Sequence, residues 1–353
     1  MSAVVGRDYL HNAWYQAAWS DELTDSAPLA RTVFETPLVL FRGSEGRAVA
    51  MLDRCPHRFA PLSRGTLAAG TLTCGYHGLS FNSLGQCVQN PHGPIPPRAQ
   101  VQVFPTLERH EALWVWMGEP EQADSTTLPD FGFIDTTPAS AKFRGLMTVQ
   151  ANYQLVADNV LDLSHVAYLH PTTFGDVLMH ARMSIEGDDR TLRARWESKD
   201  VKPSPAYQGA VPEGNADIWA VVNWHAPALL VIDSGAVPTG SSRAPRDSIL
   251  ALHSLTPAGP SSTHYFYCIT RGVRTEDAEF NAQLKSLAEL AFNHEDKPMI
   301  EAQQARLAQV DLSLTPPLLL SVDGAAVRAR RILGRLIAAE REIPPTRQVE
   351  SVP

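Results

Sequence analysis

Two short motifs, Cys55-Pro56-His57 and Cys74-Gly75-Tyr76-His77, stand 16 residues apart and constrain the fold of this chain more than any other feature. Each carries one Cys and one His, and each is followed by residues that read as a tight loop: Arg58-Phe59-Ala60-Pro61 after the first and Gly78 after the second. The ligand order Cys, His, Cys, His suits a [2Fe–2S] cluster, with Cys55 and Cys74 on one iron and His57 and His77 on the other. A structural zinc site uses the same ligand types. Zinc ligands, however, usually pair like with like, as C-x2–4-C and H-x3–5-H. The order favours the cluster and leaves zinc as the alternative.

The chain has 353 residues, enough for two domains with separate cores, and its 44% hydrophobic and 19% charged composition is that of a globular protein. A net charge of −8 argues against a nucleic-acid surface, which draws on clustered Lys and Arg. Residues 1–14 hold no basic segment followed by an apolar core, and no window approaches the roughly 18 apolar residues of a membrane helix, so a cytoplasmic protein without a membrane partner is expected. Cys87 and Cys268 then read as reduced, buried thiols, with a disulfide between them as the alternative.

Residues 1–120 read as an all-β domain of short strands and turns, with strands at 32–42, 48–53, 79–81, 86–89 and 112–117. A polar stretch at 118–127 marks the boundary. Residues 121–353 form the second domain. Strands are expected at 190–197, 218–223, 228–232, 248–255 and 264–270, and helices at 276–292, 299–310 and 324–341. Strands followed by helices suggest an antiparallel sheet with helices on one face, an α+β fold. The last helix sets Arg328, Arg330, Arg331, Arg335 and Arg341 around an apolar stripe of Val327, Ile332 and Leu336. That is a solvated face or a docking site for an acidic partner.

A cluster alone would make a one-electron carrier of the first third, so the rest of the chain needs another role. It begins with an acidic stretch at 158–170 that ends in H-x4-H. On one regular helix Asp158, Asp162 and His165 would lie within about 60° of one another, while His170 would fall about 140° from His165. Both histidines can reach one metal only if the helix ends or unwinds between them, and Pro171 pushes His170 out of the helical region. Without a redox motif upstream, these would pass as solvated helix residues.

With it, the chain resembles the Rieske non-heme iron oxygenases. Cys55, His57, Arg58, Cys74, Tyr76, His77 and Gly78 match the family's CxHR…CxYHG signature, and Asn159, Asp162, His165 and His170 match its D/N-x2-D-x2-H-x4-H motif. The resemblance implies a Rieske domain followed by a helix-grip, START-like catalytic domain, whose mononuclear Fe(2+) is held by two histidines and a carboxylate. His165 and His170 would be the histidines. Asp296, in Asn293-His294-Glu295-Asp296-Lys297-Pro298, would be the carboxylate. Glu295 is the other reading of that segment, and Asp296 as a helix cap is a third. In the family Asp162 would bridge a cluster histidine of one subunit to an iron histidine of the next in a head-to-tail homotrimer; otherwise it serves only its own His165.

The resemblance covers nearly the whole chain and points to the branch that includes vanillate and dicamba O-demethylases and toluenesulfonate methyl-monooxygenase. It implies O2-dependent oxidation of a methoxy or methyl group on a small, acidic aromatic compound, foremost O-demethylation releasing formaldehyde. The alternative is methyl hydroxylation of an aromatic sulfonate or carboxylate. His253 aligns with a substrate-contacting histidine and could bind the acidic group, or it is a satisfied structural residue; Asn223, Trp224 and His225 are weaker candidates. No G-x-G-x-x-G follows a strand, so a separate NAD(P)H-dependent flavin/iron-sulfur reductase is implied. A Rieske electron-transfer protein without catalytic iron remains the reading from a different class.

Overall fold

A computed structural model of the chain describes residues 9–312 and 314–342. The readings made on residues 1–8 and 343–353 lie outside the described residues.

The first third folds into three small sheets. Leu29–Val33, Thr36–Arg42, Ala48–Leu52 and Val103–Phe104 form one; Thr66–Ala68, Thr71–Thr73, Ser80–Phe81 and Cys87–Gln89 form another. In the third, Ala112–Trp116 lies between Trp14–Trp19 and Thr106–Arg109. The strand expected at 32–42 is in fact the core of a hairpin. Phe34 and Glu35 both have positive φ, at 53° and 60°, and turn the chain so that Val33 pairs with Thr36. Two positive φ values at the centre of a two-residue loop match the right-handed twist of the flanking strands. The strain is offset by docking, since the Phe34 and Glu35 N–H groups donate to the Pro257 and Ala258 carbonyls at 3.0 and 2.7 Å.

The rest is built on a seven-stranded antiparallel sheet. Its order is Lys142–Val149, Ser262–Arg271, Ser248–Gly259, Leu229–Pro238, Ala216–His225, Thr191–Val201 and Arg182–Gly187. The two outermost strands are ones the sequence reading missed. Both are edges: Arg182–Gly187 alternates but turns only Met183 and Ile185 inward, and the first five residues of Lys142–Val149 are all half-buried.

Alternation along the central strands gives the sheet two different faces. Leu252, Phe266 and Cys268 join Trp14, Trp114, Trp116 and Phe131 in one apolar cluster, so the back of the sheet rests on the first third of the chain. Ile249, Ala251, His253 and Tyr265 point the other way, toward the helices. Trp114 and Trp116 go to this cluster while Leu113 and Val115 go to the main core, as a period of two requires. The four cysteines are free and buried.

The terminal helix, Gly324–Glu342, lays Ala325, Ala329, Ile332, Leu333 and Ile337 on the core. Its cations work within the chain. Arg330 pairs with Asp158 at 2.6 Å, Arg328 donates to the Gly187 carbonyl, and Arg335 reaches Asp189 at 3.4 Å. Glu340 accepts from the His11 and Asn12 N–H groups, tying the two ends of the described chain together.

Trp114 is completely buried between the two parts. Trp114→Ala is expected to cost about 3–5 kcal/mol, the usual range for an aromatic removed from a core. Urea denaturation checks it, and a loss under about 1 kcal/mol would contradict a packed interface at that position.

Candidate functional site

Two loops, residues 55–60 and 74–79, present the first ligand set. Each is closed by paired backbone bonds: Phe59 N–H to Cys55 O and Cys55 N–H to Ala60 O in one, Gly78 N–H to Cys74 O and Cys74 N–H to Leu79 O in the other. Positive φ at Phe59 (59°) and Gly78 (75°) makes the turns equivalent. The cysteines point inward and are buried, and burial pushes the Cys55 thiol up, with Cys74 beside it adding to the shift. The imidazoles of His57 and His77 stand edge to face at the rim, 4.5 Å between centroids. Two buried sulfurs beneath two outer imidazoles is the donor set a two-Cys, two-His [2Fe–2S] cluster requires, so the residues fit the group.

The second set forms where the chain breaks helix twice. Asn152 caps the helix Tyr153–Leu161 by accepting from Gln154 N–H. That helix stops at Asp162, which is extended (φ −114°, ψ 99°) and caps the next turn by accepting from Ser164 N–H at 2.8 Å. The expected single helix through His165 is therefore wrong. Asp158 does not share a face with the histidines but pairs with Arg330, and the unwinding comes at Asp162 as well as before Pro171. The signal was present: Asp two residues before Ser is capping chemistry.

A short helix, Val166–Leu169, then carries the chain to His170, whose ring packs against that of His165 at 5.3 Å between centroids. Asp296 arrives from Leu290–Asp296, a π-helical turn between two α-helices, and it caps nothing by its side chain. Such turns are frequent at functional sites.

Hydrogen bonds orient each group. His165 Nδ1–H donates to the backbone carbonyl of Asp162, not to its carboxylate. His170 Nδ1–H donates to Glu295 at 2.6 Å. Both Nε2 atoms are thereby turned toward Asp296 Oδ1, at 3.4 Å from His165 and 3.2 Å from His170, and are the ring atoms left to bind a metal once deprotonated. Asn159 donates to the same oxygen at 3.0 Å. Ligands each about 2.1 Å from one metal and at right angles lie about 3 Å apart, so the three atoms suit a single ion on a shared face.

Burial alone would raise Asp296, but hydrogen bonds from His165 and His170 hold it well below the usual carboxylate range. Burial alone would lower His170, yet Asp296 and Glu295 raise it. A metal ion must displace that proton, so loading weakens as the pH falls.

Beside the triad lies a cavity of about 160 Å³. A cavity of about 150 Å³ holds benzene, so this one matches a single small ring. Ile232, Ile249, Ala251 and His253 line it from the strands expected to do so; Tyr207, Ser234, Tyr265 and Phe292 are lining residues that sequence reasoning missed. His253 is half satisfied: Nδ1 meets the Tyr265 hydroxyl, while the buried Nε2 has no partner. Tyr265 sits diagonally across the strand pair, a relation visible only once the register is known. Asn223, Trp224 and His225 are not at this cavity. They border a separate open depression with Glu186 and Arg193, and Asn223 accepts from Arg193 at 2.8 Å.

Residues 13–105 match the model of the Rieske [2Fe-2S] domain, and residues 149–339 match that of the Vanillate O-demethylase oxygenase C-terminal domain. The oxygenase component of chloroacetanilide N-alkylformylase from Rhizorhabdus wittichii is 36% identical over 337 residues, covering 94% of this chain and 97% of that protein. The oxygenase component of dicamba O-demethylase from Stenotrophomonas maltophilia is 36% identical over 333 residues, covering 93% and 98%. The crystal structure of dicamba monooxygenase bound to dicamba superposes with a TM-score of 0.88 at 36% identity, covering 95% of this chain and all of that one.

Glu295 touches His170 Nδ1 and not the converging atoms. Glu295→Ala is therefore expected to weaken iron binding about 10–100-fold, as loss of a partner behind a ligating histidine does. Iron titration against a chelator reads it. Unchanged affinity would contradict the orienting role.

Proposed function

Since the chain belongs to the Rieske non-heme iron oxygenases, as a monooxygenase carrying a [2Fe–2S] cluster and a mononuclear iron, we propose that it oxidises a methoxy or methyl carbon of a substituted arene, foremost by O-demethylation. The observation that carries this reading is the convergence of His165, His170 and Asp296 at the edge of a ring-sized cavity. An electron carrier would need neither. Methyl hydroxylation uses the same site and differs only in the carbon presented to it.

Cys55, His57, Cys74 and His77 hold the cluster on this reading, and His165, His170 and Asp296 hold the iron. The cluster supplies electrons singly and the iron activates O2. This chain's residues do the remaining work. Asn159 fixes the Asp296 oxygen, Glu295 fixes the His170 ring, and the apolar wall keeps water from the reacting carbon while holding it near the iron. An oxidised methoxy carbon leaves as formaldehyde, and a phenol remains. A separate reductase provides the electrons, and no helix of the described residues is long and apolar enough to cross a membrane.

We extend the reading to assembly. One Asp162 oxygen caps Ser164, while the other accepts no hydrogen bond among the described residues, and Asp162 and His77 are both half-buried. A head-to-tail homotrimer would bring His77 of one chain to Asp162 of the next, coupling a cluster in one subunit to an iron in its neighbour.

With reductase, NADH and O2, a panel of methoxyarenes is expected to release formaldehyde in step with phenol. Alcohol from methylarenes without formaldehyde would shift the assignment to hydroxylation. Chains bearing Cys55→Ala and chains bearing His165→Ala are each expected to be inactive, and co-expressed in equal amounts to regain about a quarter of wild-type activity, the share of junctions pairing a live cluster with a live iron. No recovery in a verified mixed oligomer would contradict the bridge.

A further inference from the structure

The wall of the cavity beside the triad is mostly apolar, with Phe143, Ile232, Ile249, Ala251, Leu287 and Phe292 around it. No lysine or arginine among the described residues lines it. The metal centre does not make up for that. A divalent ion adds two positive charges, and the carboxylates of Asp296 and Glu295, the latter on His170 Nδ1, supply two negative ones.

The polar groups that remain are neutral. Tyr207 stands beside Ser234, and its burial pushes the phenol up to about 12. His253 is 2% exposed, and burial drives its imidazole down to about 4. The Tyr265 hydroxyl has no other hydrogen bond among the described residues, and giving its proton to His253 Nδ1 is the arrangement that leaves no hydroxyl hydrogen unpaired. His253 Nε2 then carries the ring hydrogen and is a buried donor without an acceptor. Such a donor is costly, and an oxygen on a ligand would satisfy it. An anion would lose its water to a wall with no cation to offset the loss.

Resting on the oxygenase reading above, we propose that the cavity selects an uncharged methoxy- or methyl-arene, with the oxygen of a second, neutral ring substituent such as a carbonyl accepting from His253 Nε2, over a ring carboxylate or sulfonate of the same shape. The acidic substituent expected from the resemblance would find no cationic partner there.

The isosteric pair 4-methoxybenzamide and 4-methoxybenzoate separates charge from shape. Calorimetry on the intact holoenzyme without O2 at pH 7 is expected to give at least about tenfold tighter binding of the amide. Equal or tighter binding of the carboxylate overturns the inference, and so does failure of both to bind. His253→Phe keeps a ring and removes the donor. It is expected to weaken the amide at least about fivefold and to leave 4-methylanisole, which lacks the carbonyl, within about twofold; unchanged amide binding overturns the donor's part. Formaldehyde release under turnover is read separately. Release from the carboxylate, together with tighter binding of it, sinks charge selection and keeps the oxygenase reading. No release from either, with the amide still preferred in binding, sinks that reading and leaves charge selection standing.

Discussion

The structure depends on one contact: a carboxylate oxygen of Asp296, with its side chain 11% exposed, facing the Nε2 atoms of His165 and His170. A carboxylate so far out of water is costly unless paired. Here two imidazoles and the Asn159 amide surround it, and a metal ion would complete the pairing. The contact exists only because the helix after Asn152 stops at Asp162 and because a π-helical turn rotates Asp296 inward. Both irregularities are retained because the ligand atoms meet.

The two halves of the chain are joined through the sheet that carries the cavity. The Trp cluster presses on one face of the central strands, and the cavity opens on the other, so alternate residues of 249–254 answer to different neighbours. A one-residue slip of register there would exchange Leu252 for His253 and bury an imidazole among tryptophans. The hairpin at Phe34-Glu35 and the Thr256 hydroxyl, which donates to the Gln16 carbonyl at 2.7 Å, pin that register from the first third of the chain.

What could be read in the sequence follows from range. The cluster loops were legible because ligands, turn residues and spacing lie within a few positions of each other. The central strands and the last three helices were legible from periodicity, with ends off by a few residues. The edge strands Lys142–Val149 and Arg182–Gly187 were not, since the second turns only two apolar residues inward and the first five residues of the other are half-buried on both faces. At the second site, the family motif named His165, His170 and Asp296, with Glu295 as the other carboxylate, and the donor atoms of the first three converge. The motif could not say that Glu295 would go behind His170, or that the Asp162 backbone rather than its carboxylate would take His165 Nδ1–H. Those facts depend on where two helices break, and a helix wheel assumes they do not.

The central claim is that one chain carries two separate metal sites. Iron analysis of the purified protein and of its Asp296→Ala variant, made alongside redox titration of the cluster, tests it most directly. The account predicts about three irons per wild-type chain and about two in the variant, with a cluster potential between about −150 and +300 mV in both. Zinc in place of iron, or about two irons in both proteins, would contradict it.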